Sequence, residues 1–411
     1  MTASPRVLAA ACLLVTCLLV GPAAAQEEEM ELPLFIPPIV APISRDTDGD
    51  GLPDIWETDG YTSGGTFVDL PGLGADPRHK DLFVWMDYMV KDETSLAPTQ
   101  QVIDNIKAVF ANAPVDNPDG ATGVTIHPIL KNQAPYKESL GVKGDDDSVW
   151  ADFDAIKNNS FEAAYAKSFR YMIWANSYQE SSSSGLARNI PATDFIVSLG
   201  TFTPEGGTRW EKLGTFIHEL GHTLGLTHGG SDDLNYKPNY LSIMSYTFQM
   251  TGLYRNGQFG EDGFPLYFDY QRMDTPTLNE NSLNENLGLT GAGDVSTYGT
   301  IFWYLSDGTC KSQNVANANQ AIDWNLDGVI ETGVAMGLHC DEDDPTDEKT
   351  TLTTQNNWKH LNYSAGGLIG PSISPIQRQR RLKEPTPASL KRELDWETYQ
   401  RLRQSLRSPA P

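Results

Sequence analysis

One stretch of eleven residues carries the side chains best suited to metal chemistry: His218-Glu219-Leu220-Gly221-His222-Thr223-Leu224-Gly225-Leu226-Thr227-His228. His218 and His222 are four residues apart, so a helix would present both imidazoles on one face. Glu219 is turned about 100° from His218, which lets it reach a metal-bound water without binding the metal. Gly225 can adopt a positive φ and end the helix, so the chain doubles back and offers His228 as a third nitrogen ligand. Three neutral imidazoles and one open position are what a catalytic zinc site requires.

The stretch resembles the metzincins, whose extended H-E-x-x-H-x-x-G-x-x-H motif it matches in full. A second similarity lies in Leu241–Tyr246 (LSIMSY). Metzincins place a methionine on a turn beneath the metal, and Met244 matches that residue. Tyr246 matches the tyrosine beside the zinc in astacin-like and serralysin-like enzymes, where it binds the metal or hydrogen-bonds the oxyanion. The resemblance implies a metzincin-like catalytic domain with a twisted sheet, an active-site helix and a Met-turn.

The expected activity is that of a zinc metalloendopeptidase, in which zinc activates a water and Glu219 acts as the general base. A catalytically inactive module that keeps the fold for calcium-dependent adhesion is the alternative. The intact histidines and Glu219 weigh against it. A thermolysin-like enzyme with glutamate as third ligand is a second alternative, but Gly225 would interrupt the longer helix that this design needs.

A second constellation fits the calcium-loop template, which takes oxygen ligands at positions 1, 3, 5, 9 and 12, the carbonyl at 7, and Gly at 6. The residues are Asp46, Asp48, Asp50, Gly51, Leu52 (carbonyl), Asp54 and Glu57. The loop resembles the isolated D-x-D-x-D-G loops of thrombospondin-type or bacterial secreted proteins. A solvated acidic turn is the alternative.

A weaker calcium loop is expected further along, formed by Asp323, Asn325, Asp327, Val329 (carbonyl) and Glu331. Cys310 and Cys340 flank it and are the only cysteines left if Cys12 and Cys17 leave with a signal peptide. Two cysteines in an exported chain indicate one disulfide, with buried free thiols as the alternative.

Hydrophobic periodicity predicts alternating strands and helices, and therefore an α/β (α+β) layer with one long helix packed under a twisted sheet. We predict strands over Leu82–Val90, Val124–Leu130, Phe169–Ala175 and Asp194–Leu199, and helices over Thr99–Asn112, Ser160–Lys167 and Arg209–Leu224. By family resemblance, Asp194–Leu199 would be the sheet edge along which an extended peptide substrate docks.

Composition and the amino terminus indicate a secreted globular protein. The 411 residues include 30 basic and 54 acidic ones, for a net charge of −24, which argues against a nucleic-acid partner. Arg6 precedes an apolar run, Val7–Val20, that ends in a small-residue segment, as in a signal peptide cleaved after Ala25. A transmembrane anchor is the alternative, but the run is shorter than the ~20 residues needed to span a bilayer.

The sequence divides into a signal peptide (1–25), a Pro-rich leader (26–45), a calcium-loop segment (46–79), a zinc protease domain (80–275), a loop-rich C-terminal subdomain (276–370) and a basic flexible tail (371–411). Leu390–Leu406 could form a basic amphipathic helix, although we favour disorder for the tail. We expect peptide or protein substrates, no membrane insertion after signal removal, and a monomer.

Overall fold

A five-stranded mixed sheet lies at the centre of the computed structural model, which describes residues 45–256, 267–291, 293–341, 345–371 and 393–407. The predicted signal peptide, nearly all of the leader, and the part of the tail in 372–392 lie outside the described residues. The described residues belong to one compact unit, Ser44–Pro411, so the segments 46–79, 80–275 and 276–370 all lie within it.

The described strands are β1 (Tyr61–Ser63), β2 (Thr66–Val68), β3 (Asp81–Tyr88), β4 (Val90–Lys91), β5 (Thr94–Ser95), β6 (Thr125–Gln133), β7 (Phe169–Trp174), β8 (Gly185–Ala187), β9 (Asp194–Val197), β10 (Leu278–Asn279), β11 (Leu283–Asn284), β12 (Thr300–Ser306), β13 (Thr309–Val315), β14 (Thr332–Val334) and β15 (Thr351–Leu352). The α-helices are α1 (Asp54–Asp59), α2 (Leu70–Leu73), α3 (Gln100–Ala111), α4 (Asp146–Ser160), α5 (Arg209–Thr223), α6 (Tyr246–Gln249) and α7 (Trp396–Arg407). Ala163–Lys167 and Asn357–Lys359 form short 3₁₀ helices.

The central sheet has the strand order β6-β3-β7-β9-β8. The first four strands are parallel, and β8 pairs antiparallel with β9 at one edge. Strands β3 and β7 are buried along almost their whole length, as expected for interior parallel strands covered on both faces. The predicted mixed α/β fold with a central sheet is therefore confirmed.

Helices cover both faces of the sheet. Tyr171 and Trp174 of β7 point to opposite faces because side chains alternate along a strand. Tyr171 contacts Phe153 of α4, with ring centroids 5.3 Å apart, and Trp174 stacks on Phe216 of α5 at 5.9 Å. Helix α5 therefore lies against the sheet on the side opposite α4, where it packs on β8 and β9.

One helix prediction was wrong. The helical pattern at Ser160–Lys167 corresponds to the end of α4 and a short 3₁₀ helix, and the regular helix lies earlier, at Asp146–Ser160. The Asp145 side chain accepts a hydrogen bond from Ser148 N and caps α4, while two acidic residues occupy its first turn. The capping residue and the acidic first turn mark the start of this helix, and its buried apolar face extends only from Val149 to Ile156.

The C-terminal region is built from short strand pairs and loops. Strands β12 and β13 form a hairpin, and Cys310 on β13 is bonded to Cys340, so the disulfide expected from the sequence is present. Glu280 and Glu285 follow β10 and β11, and both are buried. Their carboxylates accept backbone N–H groups from the loops packed on them, which satisfies donors that regular structure leaves unpaired.

No helix among the described residues is both long enough and apolar enough to cross a membrane.

Candidate metal centre

Helix α5 sets the position of His218, Glu219 and His222. Its first turn is fixed by a capping box, in which Thr208 Oγ1 accepts from Glu211 N and the Glu211 carboxylate accepts from Thr208 N. Its end is a Schellman motif around Gly225, which has a φ of 93°. The N–H groups of Gly225 and Leu226 bond to the carbonyls of His222 and Gly221. The sharp stop that the sequence predicted at Gly225 is thus present, and the next residues turn back toward the helix.

The three predicted histidines converge, and their outer nitrogens are each held by an oxygen. His218 Nδ1 donates to Ile243 O at 2.9 Å and His222 Nδ1 donates to Leu226 O at 2.8 Å. His228 Nδ1 lies 2.9 Å from a carboxylate oxygen of Asp233. Such partners fix the ring orientation and tautomer of a metal-binding histidine. Because a carbonyl can only accept, Nδ1 of His218 and His222 must carry the proton.

The inner nitrogens of these rings face one another. His218 Nε2 and His222 Nε2 are 3.0 Å apart, and in neutral rings with protonated Nδ1 both atoms carry lone pairs. Burial, together with the neighbouring His218, lowers the pKa of His222 to about 3, so this ring is neutral at physiological pH. Two buried lone pairs at this separation repel unless a metal ion or a shared proton lies between them.

Glu393 completes the cluster and was not foreseen from the sequence. Its carboxylate lies 3.2 Å from His218 Nε2, 3.5 Å from His222 Nε2 and 3.6 Å from His228 Nε2. These four residues form one buried group whose ligand atoms all lie within 4.8 Å of each other. Four ligands at ~2.0–2.1 Å from a tetrahedral ion are about 3.3–3.4 Å apart, so the spacing fits zinc.

The buried carboxylate of Glu393 attracts positive charge to the cluster. Burial opposes ionisation of Glu393, but the imidazoles of His228, His218 and His222 hold its pKa well below the usual range. Burial likewise lowers the pKa of His228, but the carboxylates of Glu393 and Asp233 outweigh it and raise this pKa to about 9. A carboxylate and three imidazoles are the nitrogen and oxygen ligands that zinc accepts.

Glu219 lies beside the cluster and outside it. It is fully buried, and the backbone of Ala187 lies close enough to favour its ionised form. Burial and then the charge of Glu393 raise the pKa of Glu219 well above its ordinary value. A Cβ atom at Gly185 would lie 2.4 Å from Glu219 Oε1, so this glycine of β8 leaves the space that the carboxylate occupies.

Met244 and Tyr246 lie where the sequence resemblance places them, next to the cluster. Met244 is fully buried beneath α5, and a Cβ atom at Gly221 would lie 2.4 Å from Met244 Sδ. The turn that carries Met244 also supplies the Ile243 carbonyl that holds His218. Tyr246 Oη donates to Glu393 Oε2 at 3.3 Å, and its ring centroid lies 4.7 Å from that of His228.

The prediction that Asp194–Leu199 forms the sheet edge was wrong. Strand β9 spans Asp194–Val197 and is interior, because β8 pairs along its outer side. The edge is therefore β8, an antiparallel strand of three residues that is too short to recognise from its sequence pattern.

The prediction of a flexible tail was also wrong for Glu393–Arg407. Trp396–Arg407 form helix α7, the alternative that the sequence left open. Leu394, Tyr399 and Leu402 are buried, so the apolar face of this amphipathic segment packs against the body of the protein.

The first predicted calcium loop brings together a cluster of carboxylates, but not the predicted set. Asp46, Asp48 and Asp50 form one group, and Asp50 forms a second group with Glu57 and Asp81. Asp81 begins β3, and nothing near it in the sequence indicates this role. Asp54 lies outside both groups, since its carboxylate accepts from Thr47 N and Thr47 Oγ1. The Leu52 side chain is buried, and the backbone N–H of Leu52 donates to the Asp50 carboxylate.

Orphaned oxygens mark this carboxylate cluster as a candidate cation site. Both Glu57 oxygens and Asp48 Oδ2 are buried without a hydrogen-bond partner among the residues described. Burial, and next the charge of Asp50, raises the pKa of Glu57 to about 10, and burial raises that of Asp48 to about 7. Lys80 Nζ donates to the Asp48 carbonyl and supplies the nearby positive charge. Hard oxygen ligands of this kind are those that calcium prefers.

The residues of the second predicted calcium set form no group of three or more acidic or histidine side chains among the described residues. Asp323 accepts from the N–H groups of Asp327 and Gly328, and Asn325 from that of Asp327, so the loop is closed by turns of its own. Glu331 is exposed and forms no carboxylate group with Asp323 and Asp327. Val329 is exposed, and its N–H donates to Asp327. The buried acid of this region is Glu285, which binds the loop through Trp324 N and Glu331 N.

No protein-family model matches the chain, and a search of curated proteins finds no match either.

Proposed function

We propose that the chain is a secreted zinc-dependent endopeptidase of the metzincin type. One observation carries the proposal: the inner nitrogens of His218 and His222 face each other at 3.0 Å while both outer nitrogens donate to carbonyls. Without a metal ion or a shared proton that arrangement is repulsive, and three histidines with zinc spacing supply a metal ion's ligands. Met244 beneath Gly221 and Tyr246 beside His228 support a metzincin-like catalytic domain around them.

Glu219 is the proposed general base. Zinc, when bound, acidifies a water molecule and polarises the carbonyl of the substrate. The Glu219 carboxylate is buried directly beside the histidine cluster, so it is placed to take the proton of that water. Glu219 would then give this proton to the leaving amine. The Tyr246 hydroxyl is positioned to donate to the developing oxyanion.

An extended peptide is the proposed substrate. Strand β8 is the outer strand of the central sheet and pairs with β9 through only one of its sides. A peptide can add to such an edge through backbone hydrogen bonds, with its side chains in pockets. Gly185 of this strand packs on Glu219, so a peptide bound along β8 passes the proposed base.

Calcium is proposed as a second, structural ion, held at Asp50 by one of the two overlapping groups, Asp46–Asp48–Asp50 or Asp50–Glu57–Asp81. It would neutralise carboxylates that are otherwise buried together, and it would join the start of the described chain to β3 of the central sheet. It has no part in the bond-breaking step. Secretion, proposed from the signal sequence before Gln26, is consistent with the disulfide Cys310–Cys340.

The proposal is tested by metal analysis of the purified protein together with digestion of casein as an unstructured substrate. Both the wild type and Glu393→Ala should be assayed, because Glu393 lies where substrate must approach the histidines. We expect one zinc per chain and cleavage of casein. Glu219→Ala should retain zinc but lose about 10²–10⁴-fold in rate, since Glu219 is the base and not a ligand.

His222→Ala is the matched control, because it removes a ligand from the same helix and should lose both zinc and cleavage. Near-wild-type cleavage by Glu219→Ala would show that the base is assigned to the wrong residue. Zinc bound without any cleavage, in the wild type and in Glu393→Ala, would instead favour the non-catalytic binding module.

A further inference from the structure

The segment Glu393–Trp396, called the tail segment below, runs along the edge of the central sheet. Ser184 N donates to Leu394 O at 3.0 Å, and Trp396 N donates to Ser182 O at 3.1 Å. Between these bonds Ser183 and Asp395 form an antiparallel bridge. The tail segment therefore pairs with the residues just before β8 in the way that an extended peptide adds to a sheet edge.

The register of this pairing brings the tail segment to the metal centre. Ser183 pairs with Asp395 in an antiparallel bridge. Two residues further along the edge and two residues back along the tail segment, the same register sets Glu393 opposite Gly185, the residue that packs on Glu219. The Glu393 carboxylate then lies 3.2–3.6 Å from the inner nitrogens of the three histidines. A side-chain carboxylate, and not a peptide carbonyl, faces the metal position, so the segment can bind there without presenting a bond for cleavage.

Contacts beyond the sheet edge hold the tail segment in place. Trp396 packs on Phe202, with ring centroids 4.9 Å apart, and Leu394 is 1% exposed. Asp395 accepts from Thr398 N and so caps α7, whose buried Leu402 contributes further apolar contact. A cavity beside His228 is walled partly by the body and partly by Glu393, Leu394, Asp395 and Thr398.

We propose that the tail segment is an intramolecular inhibitor of the peptidase, in which Glu393 takes the fourth metal position that the reacting water needs. This inference rests on the proposed function. Catalytic zinc sites keep one position open, whereas a closed set of four protein ligands is typical of structural sites. Here the three histidines come from α5 and the turn after it, and the fourth ligand arrives on a separate segment that also fills the substrate edge. Activity therefore requires the tail segment to leave the cleft.

Access to the metal gives a readout that does not depend on catalysis. Acetohydroxamate, a small zinc-binding ligand, should be titrated calorimetrically into the zinc-loaded full-length wild type and into Glu393→Ala. We expect the dissociation constant to fall at least about tenfold in Glu393→Ala, because apparent affinity scales with the open fraction. The rate of casein cleavage should rise by a similar factor. Glu397→Ala is the matched control. This exposed residue lies in the adjoining helix α7 and accepts a hydrogen bond from Ser182 Oγ, so both readouts should stay within about twofold.

A covalent tether tests the position of the segment without using the metal. Ser183→Cys/Asp395→Cys places two thiols at directly paired antiparallel positions, where a disulfide can form. We expect mild oxidation to cross-link the pair, as detected by peptide mass mapping, and to suppress hydroxamate binding. Ser183→Cys/Glu397→Cys, offset by two residues, should not cross-link, because diagonal neighbours are about 7–8 Å apart.

The outcomes separate the inhibitor from the peptidase. Equal hydroxamate affinity in wild type and Glu393→Ala, or no cross-link at 183 and 395, would overturn the inhibitor. Loss of zinc from Glu393→Ala would also overturn it, because Glu393 would then be a permanent ligand. Tight hydroxamate binding by Glu393→Ala without any casein cleavage would support the inhibitor and refute the peptidase.

Discussion

The position of the Glu219 carboxylate depends on Gly185, although only Glu219 belongs to a recognisable sequence motif. The carboxylate of Glu219 is fully buried, and the surface that it packs on is the backbone of Gly185 in β8. Because Gly185 has no side chain, the proposed base can lie directly between the histidine-bearing helix α5 and the strand along which substrate is proposed to bind. The alignment of base and substrate thus depends on a residue with no chemistry of its own.

Gly185→Ala should therefore impair catalysis without removing the metal. The new Cβ would lie 2.4 Å from Glu219 Oε1 and 2.7 Å from Glu219 Cγ, so the buried carboxylate must shift. A displacement of about 1 Å at a catalytic group costs on the order of 10²-fold in rate. We expect kcat for casein to fall by that factor in a Glu393→Ala background, with zinc content unchanged. An unaltered kcat would mean that the carboxylate relaxes freely and that its observed position is not needed.

The histidine-bearing helix α5 is supported by the turn beneath it. Met244 lies in van der Waals contact range of Gly221, and Tyr270 Oη donates to the Ile217 carbonyl at 2.6 Å from the same side. The Ile243 carbonyl then orients His218. The turn thus both supports the helix and aligns a proposed metal ligand, which ties stability to metal affinity in one element.

Gly221→Ala should destabilise the fold by about 1–3 kcal/mol, because the added Cβ would lie 2.4 Å from Met244 Sδ in a closely packed site. Urea unfolding monitored by tryptophan fluorescence measures the loss. Met244→Ala removes the clashing atom, so the double variant should be less destabilised than the sum of the two single variants. If the losses of stability in the two single variants simply add in the double variant, the contact between position 221 and Met244 is not the cause of the destabilisation.

The molecule as a whole joins its two described ends to the central sheet by different means. Near the amino end, the first carboxylate cluster brings Asp48, Asp50 and Glu57 against Asp81 of β3. Near the carboxyl end, the buried Arg170 of β7 donates to the carbonyls of Asn362 and Tyr363, and Asn362 N donates to the last turn of α5. Distant segments are therefore fixed around the helix that carries the histidines.

Calcium should raise the thermal stability of the whole protein through the first cluster. Four carboxylates that are buried together repel one another, and a cation bound only to the folded state stabilises it by RT ln(1 + [L]/Kd). At a calcium concentration 100 times Kd, that is about 2.7 kcal/mol. We expect a higher Tm with excess calcium at fixed zinc in the wild type, and little shift in Asp48→Ala/Asp50→Ala.

Asp323→Ala/Asp327→Ala is the matched double variant, since it removes two carboxylates from the loop that forms no group of three acidic side chains among the described residues. It should keep the full calcium shift. If calcium instead stabilises Asp48→Ala/Asp50→Ala as much as the wild type, the stabilising ion binds elsewhere, and Asp323–Glu331 becomes the candidate.

The spacing of residues within α5 and the turn after it was enough to predict the local geometry of the site. His218 and His222 share a face because the helix repeats every 3.6 residues, and Gly225 ends the helix because it adopts a positive φ. Cys310 and Cys340 could be paired because no other cysteine follows the predicted signal peptide. These features depend on local backbone geometry or on a count, and both can be read from the chain.

Contacts between distant segments could not be predicted in this way. Glu393 reaches the histidines, Asp81 joins the first carboxylate cluster, and Gly185 lies on Glu219 because sheet pairing and core packing bring them there. No periodicity or motif marks such residues, since their partners are set by the path of the chain through the whole fold. The same reason explains the two errors of placement, the sheet edge and the tail. Which strand is outermost, and which cleft an amphipathic helix covers, depends on the surfaces that remain once the rest of the chain has packed.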